Sequence, residues 1–147
     1  MVDLYRGKRK DNGEWVYGRL LADDVIVPKG QPFEVEDCYI MADDLVGYEV
    51  IPESVGRYIE LNDKNGKMIF VKDIVHSIYR SGYTGVSNTD FGYGIIEYCN
   101  TYFSGASYQI KLISDPGYRV FSASLQVEVI GNIDDNPELL KIGASDA

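Results

Sequence analysis

Arg57-Tyr58-Ile59-Glu60-Leu61-Asn62-Asp63-Lys64-Asn65-Gly66-Lys67-Met68-Ile69-Phe70-Val71 is the stretch that decides the fold class. Two runs rich in β-branched, aromatic and other apolar residues flank Asp63-Lys64-Asn65-Gly66-Lys67. Asn-Gly supplies the positive φ angles of a type I′ turn, so a β-hairpin is expected. Past Lys72-Asp73, Ile74-Val75-His76-Ser77-Ile78-Tyr79 makes another strand. Upstream the signal recurs: Leu4-Tyr5-Arg6-Gly7 passes through Lys10-Asp11-Asn12-Gly13-Glu14 into Trp15-Val16-Tyr17-Gly18-Arg19-Leu20-Leu21, a second Asn-Gly hairpin.

Between the hairpins lie three short strands, Val25-Ile26-Val27, Cys38-Tyr39-Ile40-Met41 and Tyr48-Glu49-Val50-Ile51, punctuated by Pro28, Pro32 and Pro52. Downstream, Gly94 to Cys99, Tyr108 to Ile113, Arg119 to Phe121 and Gln126 to Gly131 read as strands. Tyr108, Ile110 and Leu112 alternate with polar Gln109 and Lys111, the mark of a strand with one wet face. Ser81 to Phe91 reads as a mobile loop. Helix is confined to Asn136-Pro137-Glu138-Leu139-Leu140-Lys141, where Asn at the N-cap, Pro at the first helical position and Gly143 beyond the end predict a short C-terminal helical turn. The fold class is mainly β.

Composition narrows the functions. The 147 residues suit one domain. A formal net charge of −9, from 23 acidic and 14 basic residues, forfeits most of the counterion release that drives nucleic-acid binding. Arg6, Lys8, Arg9 and Lys10 form the one compact basic cluster, with Lys64, Lys67 and Lys72 more scattered. On a strand running into a turn, such a cluster reads as a solvated edge that discourages aggregation. Direct binding of nucleic acid is therefore disfavoured. Cys38 and Cys99 belong to no C-x-x-C pair and are expected as reduced, packed thiols. Met1-Val2-Asp3-Leu4 has neither the basic start nor the apolar run of a signal peptide, and no stretch approaches the ~20 apolar residues of a membrane span. A cytoplasmic protein without membrane association is expected.

Three segments carry a resemblance. Tyr5-Arg6-Gly7 with Gly13-Glu14-Trp15-Val16-Tyr17-Gly18 is the first. The second runs from Val50 through Val55-Gly56-Arg57-Tyr58 and Asp63-Lys64-Asn65-Gly66-Lys67 to Asp73-Ile74-Val75. The third is Glu128-Val129-Ile130-Gly131-Asn132-Ile133 followed by Asn136-Pro137-Glu138-Leu139-Leu140. In this order and spacing they resemble the YopX family, proteins carried by bacterial phages and prophages. The resemblance implies an SH3-like small β-barrel with additional strands, often self-associating, and it implies no activity. Residues 1–142 would form that single domain and residues 143–147 a disordered tail. Where the family has glycine, this chain has Glu60 ahead of the Asp63-Lys64 turn and Lys72 ahead of Asp73-Ile74-Val75. That departure implies a different local backbone at both places.

Candidate sites are few. His76 is the only histidine, so no His-His metal pair exists, and Ser77 points to the opposite strand face. His76 reads as a structural residue. Asp23-Asp24, Asp43-Asp44 and Asp134-Asp135 match no EF-hand spacing and suit turns. No metal and no cofactor is expected. The unusual feature is a tyrosine- and glycine-rich stretch from Tyr79 to Tyr108, whose only Lys or Arg is Arg80. Without a basic groove its aromatics cannot track a nucleic-acid backbone. Tyr79, Tyr83, Phe91, Tyr93, Tyr102 and Phe103 either fill the core or form a protein-contact surface, for which Tyr with Gly and Ser is suited.

The function expected is that of a non-enzymatic phage or prophage accessory protein acting through protein-protein contacts or as a homo-oligomer. An alternative is an acidic decoy that occupies a host DNA-binding protein, which requires one dense acidic face. A hydrolase with dispersed carboxylates is the third class, and it requires a cleft pairing two acids of unequal pKa.

Overall fold

The alternation in the sequence becomes eleven strands in the computed structural model, which describes residues 4–22, 38–80, 88–101, 105–113, 117–121 and 125–141. They are β1 (Tyr5–Lys8), β2 (Trp15–Ala22), β3 (Cys38–Met41), β4 (Gly47–Val50), β5 (Gly56–Asn62), β6 (Met68–Phe70), β7 (Asp73–Arg80), β8 (Asn88–Thr101), β9 (Gly105–Leu112), β10 (Tyr118–Val120) and β11 (Leu125–Asn132). Val25-Ile26-Val27 and residues 143–147 lie outside the described residues. Pairing yields two antiparallel sheets, ordered β4-β3-β2-β1-β5-β6 and β10-β9-β8-β7-β11. By compactness the chain divides into Met1–Ile59 and Glu60–Ala147.

In the first unit Val16, Cys38, Ile40, Val50 and Val55 form the buried cluster. Cys38 is a free, buried thiol packed as a small apolar residue. Gly7 lies over that cluster, where a Cβ would come within 3.1 Å of Ile40 and Val50.

In the second unit Ile69, Phe70, Ile74, Val75, Ile96, Ile110, Leu112 and Val127 are buried. The sheet there is not a closed barrel: β10 and β11 remain its two edges. Those two edge strands do not pair with each other.

β8 begins well before Gly94. Asn88 to Phe91, expected in a mobile loop, are strand residues, and Asn88 to Asp90 pair with β7. Gly92, at φ +75°, makes this possible. Ser77 lies opposite Gly92 and Ile78 opposite Asp90, so Phe91 is the extra residue of a bulge and pairing continues past it.

The two Asn-Gly hairpins form, but not with type I′ turns. Gly13 and Gly66 take positive φ while their asparagines do not. Asp63 N–H donates to the Lys67 carbonyl at 2.7 Å and Gly66 N–H to the Asp63 carbonyl at 2.9 Å. That is a three-residue loop, a type I turn followed by a left-handed glycine. Asp63 itself selects it. Its Oδ1 accepts the N–H groups of Asn65 and Lys67, each at 2.9 Å, and its Oδ2 accepts Val129 N–H at 2.9 Å. Beside it Lys64 N–H donates to the Val127 carbonyl at 2.9 Å, so the hairpin tip is latched to β11.

Glu60 and Lys72 keep the left-handed backbone that glycine favours, at φ +68° and +80°. The different backbone expected there is not what forms. At Lys72 the reason is tertiary. Its N–H donates to the Ile96 carbonyl at 2.8 Å and its carbonyl accepts Ile133 N–H at 3.1 Å. Asp73 closes the same turn by accepting Phe70 N–H at 2.8 Å. The C-terminal turn is 3₁₀, Pro137–Lys141. Asn136 does not cap it forwards but accepts Asn132 N–H at 3.2 Å. Gly131 must lack a Cβ, which would collide with the Asn136 side chain.

Two outcomes follow for stability. Glu60→Gly and Lys72→Gly should each raise the unfolding free energy by about 0.5–1 kcal/mol in urea titrations, relieving the left-handed penalty less glycine's unfolded-state entropy. A loss instead would mean that side-chain contacts outweigh backbone strain. For Asp63, burial pushes the carboxyl up, but the three backbone N–H groups and Lys67 more than offset this and hold it below its ordinary 3.8. Its stabilisation is therefore complete above 3.8 and is lost as pH falls through the depressed folded-state value. Asp63→Asn should cost about 2–3 kcal/mol at neutral pH and flatten the acid limb of stability against pH. An unchanged acid limb would remove Asp63 as its source.

Candidate functional site

The predicted contact residues are only partly brought together. Tyr79 lies on β7 opposite Thr89, Phe91 is at the β8 bulge, and Tyr93 lies opposite His76. Tyr83, Tyr102 and Phe103 lie outside the described residues. The Tyr93 ring is half-buried, with its centroid 5.0 Å from that of His76. Tyr98 and Tyr108, also half-buried, meet edge to face at 6.0 Å.

His76 Nε2 lies 2.8 Å from Asp90 Oδ1. The same oxygen accepts Gly92 N–H at 2.7 Å, and these two contacts hold the Asp90 carboxyl below its ordinary value. A histidine oriented by a carboxylate is half of a nucleophilic relay. Ser77, next in sequence, is fully buried while His76 is partly exposed, so the two point to opposite faces. Among the described residues this pair has no hydroxyl or thiol hydrogen-bonded to it.

The aspartate pairs make turns. Asp44 accepts Val46 N–H at 2.9 Å and the Tyr48 hydroxyl at 2.6 Å. The Asp134 and Asp135 N–H groups both donate to Asn132 Oδ1. Asp23 and Asp24 lie outside the described residues, and among the described ones no three His, Cys, Asp or Glu side chains gather as metal ligands.

The basic cluster is engaged residue by residue. Arg6 stacks over the Trp15 ring at 4.7 Å, with the Lys8 ammonium at 5.5 Å. Arg9 forks onto Asp11 at 3.0 and 2.6 Å, which raises the guanidinium pKa and lowers that of the carboxyl. Lys10 pairs with Glu49 at 3.2 Å.

Apolar surface gathers elsewhere. Along β2, Val16 and Leu20 face the core, whereas Tyr17, Arg19 and Leu21 face solvent. Leu21 lies directly opposite Tyr39 of β3, and Arg19 opposite Met41. Tyr17, Leu21 and Tyr39 remain 44%, 40% and 37% exposed, which places three large apolar side chains on one sheet face. The tip of the β3–β4 hairpin adds Leu45 and Val46, at 78% and 47% exposed.

That tip repeats the Asp63–Lys67 loop. Ala42 N–H donates to the Val46 carbonyl at 3.2 Å and Leu45 N–H to the Ala42 carbonyl at 3.0 Å. Leu45, at φ +64°, thus occupies the position that Gly66 holds in the other loop. A leucine kept left-handed and exposed gains nothing for the fold, and such outliers point to function. None of these five residues stood out in the sequence. The available signal was a β2 apolar on both faces, which reads equally as a fully buried strand.

No helix among the described residues is long and apolar enough to cross a membrane. A protein-family model described as YopX protein matches residues 4–141, nearly the whole chain. No curated protein matches it.

Leu45→Gly should raise the unfolding free energy by about 0.5–1 kcal/mol, because a side chain this exposed has little burial to lose. Denaturant titration checks this, and a lower midpoint would show that Leu45 packs to support the fold.

Proposed function

This chain belongs to the YopX family, and on that premise we propose a non-enzymatic accessory protein of phage or prophage that works by gripping another protein. The observation that carries this reading is the outer face of β2–β3, where Leu21 and Tyr39 stand exposed opposite each other and Tyr17 lies further along β2 on the same face. Exposed apolar patches on soluble proteins mark interaction sites, and aromatic anchors dominate binding energy. Leu45 and Val46 extend the apolar chemistry at the hairpin tip.

Charge selects the occupant. Arg19 stands between Tyr17 and Leu21 on β2, with Lys8 on the neighbouring strand. Glu49, opposite Tyr39 on the same face, is engaged by Lys10, so a two-fold contact would still bring Arg19 towards its copy, whereas a partner offering a carboxylate would complement it. A different protein therefore fits better than a second copy.

The decoy reading asks for one dense acidic face. Among the described residues Asp11, Glu49, Asp44, Asp90 and Glu128 each engage a separate local partner. Engaged in this way, these residues lend the decoy reading no support.

The test compares the wild type with Leu21→Ser/Tyr39→Ser as immobilised bait, in host lysates with and without phage induction. The wild type should recover one partner in near-equal amount and the variant should not, with both sharing a thermal midpoint. Trp15, the sole tryptophan, lies beside this face and should shift its emission when the isolated partner is added. Retention of the partner by the variant would remove the face from the reading. Recovery of this chain alone, with light scattering showing a defined oligomer, would replace gripping by self-assembly.

A further inference from the structure

A cleft of about 610 Å³ in the second unit is independent of the β2–β3 face. It opens along β11, an edge strand of the sheet. Leu61, Ile69, Phe121, Leu125 and Val127 form its apolar walls. Leu61 is 45% exposed although it sits among these residues, which marks apolar surface that the fold leaves uncovered.

The cleft offers no unsatisfied charge. Both oxygens of Asp63 accept backbone N–H groups. Lys64 pairs with Glu128 at 2.9 Å, and this holds the Glu128 carboxyl low. The remaining polar lining is amide, from Asn62 and Gln126. An apolar, uncharged occupant is what this lining favours.

The backbone specifies the occupant further. β11 pairs with β7 on one side only, and on its other side the Val127 carbonyl accepts Lys64 N–H while Val129 N–H donates to Asp63. In an antiparallel strand these outward groups recur every second residue. Val127 N–H and the Leu125 carbonyl therefore lie along the same edge, at the wall of the cleft, where no second strand of the sheet pairs with β11. We propose that this cleft receives an extended, apolar peptide segment of a partner protein, which adds as a strand to the free end of β11 and continues the pairing that Asp63 and Lys64 begin. Strand addition gives affinity through main-chain bonds and specificity through alternate side chains. Here the alternate side chains would enter between Leu61 and Leu125.

The probe is a short peptide alternating Thr and Val with Lys at each end, titrated into the ¹⁵N-labelled full chain. Shifts should concentrate at Leu61, Leu125 and Val127, and exchange of the Val127 amide should slow. Two further peptides carry N-methyl groups on alternate residues, in opposite phases. At least one phase should bind about tenfold more weakly, because it blocks the paired edge. Leu61→Glu should lose the peptide while keeping its thermal midpoint, since the residue is already exposed. Leu21→Ser/Tyr39→Ser should bind the peptide normally, so this site and the β2–β3 face can fail separately. The proposal is overturned if the peptide leaves Leu125 and Val127 unperturbed at millimolar concentration. It is also overturned if both methylated phases bind as well as the parent, which would describe a pocket for small apolar molecules. Protection of the same amides by self-association alone, without peptide, would make a second copy the occupant and overturn it equally.

Discussion

The second unit depends on one buried carboxylate. Asp63 receives three backbone N–H groups, two from its own loop and one from Val129 of β11. The β5–β6 tip lies beyond the residues of β5 that pair with β1, and Asp63 and Lys64 tie it to β11 instead. The attachment has a second consequence. It holds the hairpin against only part of the edge of β11, and the part left over is the wall of the cleft. The bond that stabilises the unit and the opening beside it come from the same local geometry.

Left-handed residues separate structural strain from strain of another kind. Lys72 is held from two sides, by Ile96 and Ile133, so the backbone there follows its partners whatever side chain it carries. Leu45 is different. The loop around it closes with the same two bonds as the Asp63–Lys67 loop, in which glycine fills the corresponding position. Nothing in that local pattern calls for leucine, and its 78% exposure leaves little packing to compensate it.

Legibility in the sequence followed the range of the interaction. The Asn-Gly hairpins, the alternation of Tyr108, Ile110 and Leu112, and a single C-terminal turn are local signals, and each became an element of the kind expected. The turn type escaped because it depends on where the Asp63 carboxylate points, not on Asn65-Gly66. The early start of β8 escaped because one bulge at Gly92 lets pairing continue through a stretch that looks like loop. Barrel closure depends on whether two edges at opposite ends of a sheet meet, which no local pattern encodes. The exposed face escaped for a related reason. Tyr17 and Leu21 alternate with Val16 and Leu20, and only placement shows which pair is covered.

A net charge of −9 invites an electrostatic account of function, yet several described charges are engaged locally. Asp11 lies on Arg9, Glu49 on Lys10 and Glu128 on Lys64. Exposed pairs of this sort add little stability and are screened by salt, and each removes one charge of either sign, so the excess of acid over base is untouched. The apolar surface is not engaged in the same way. It remains open on the β2–β3 face and along the free edge of β11, on separate units, one beside cations and the other without net charge. Apolar burial is short-ranged and non-directional, so neither opening depends on the sign of the chain's net charge.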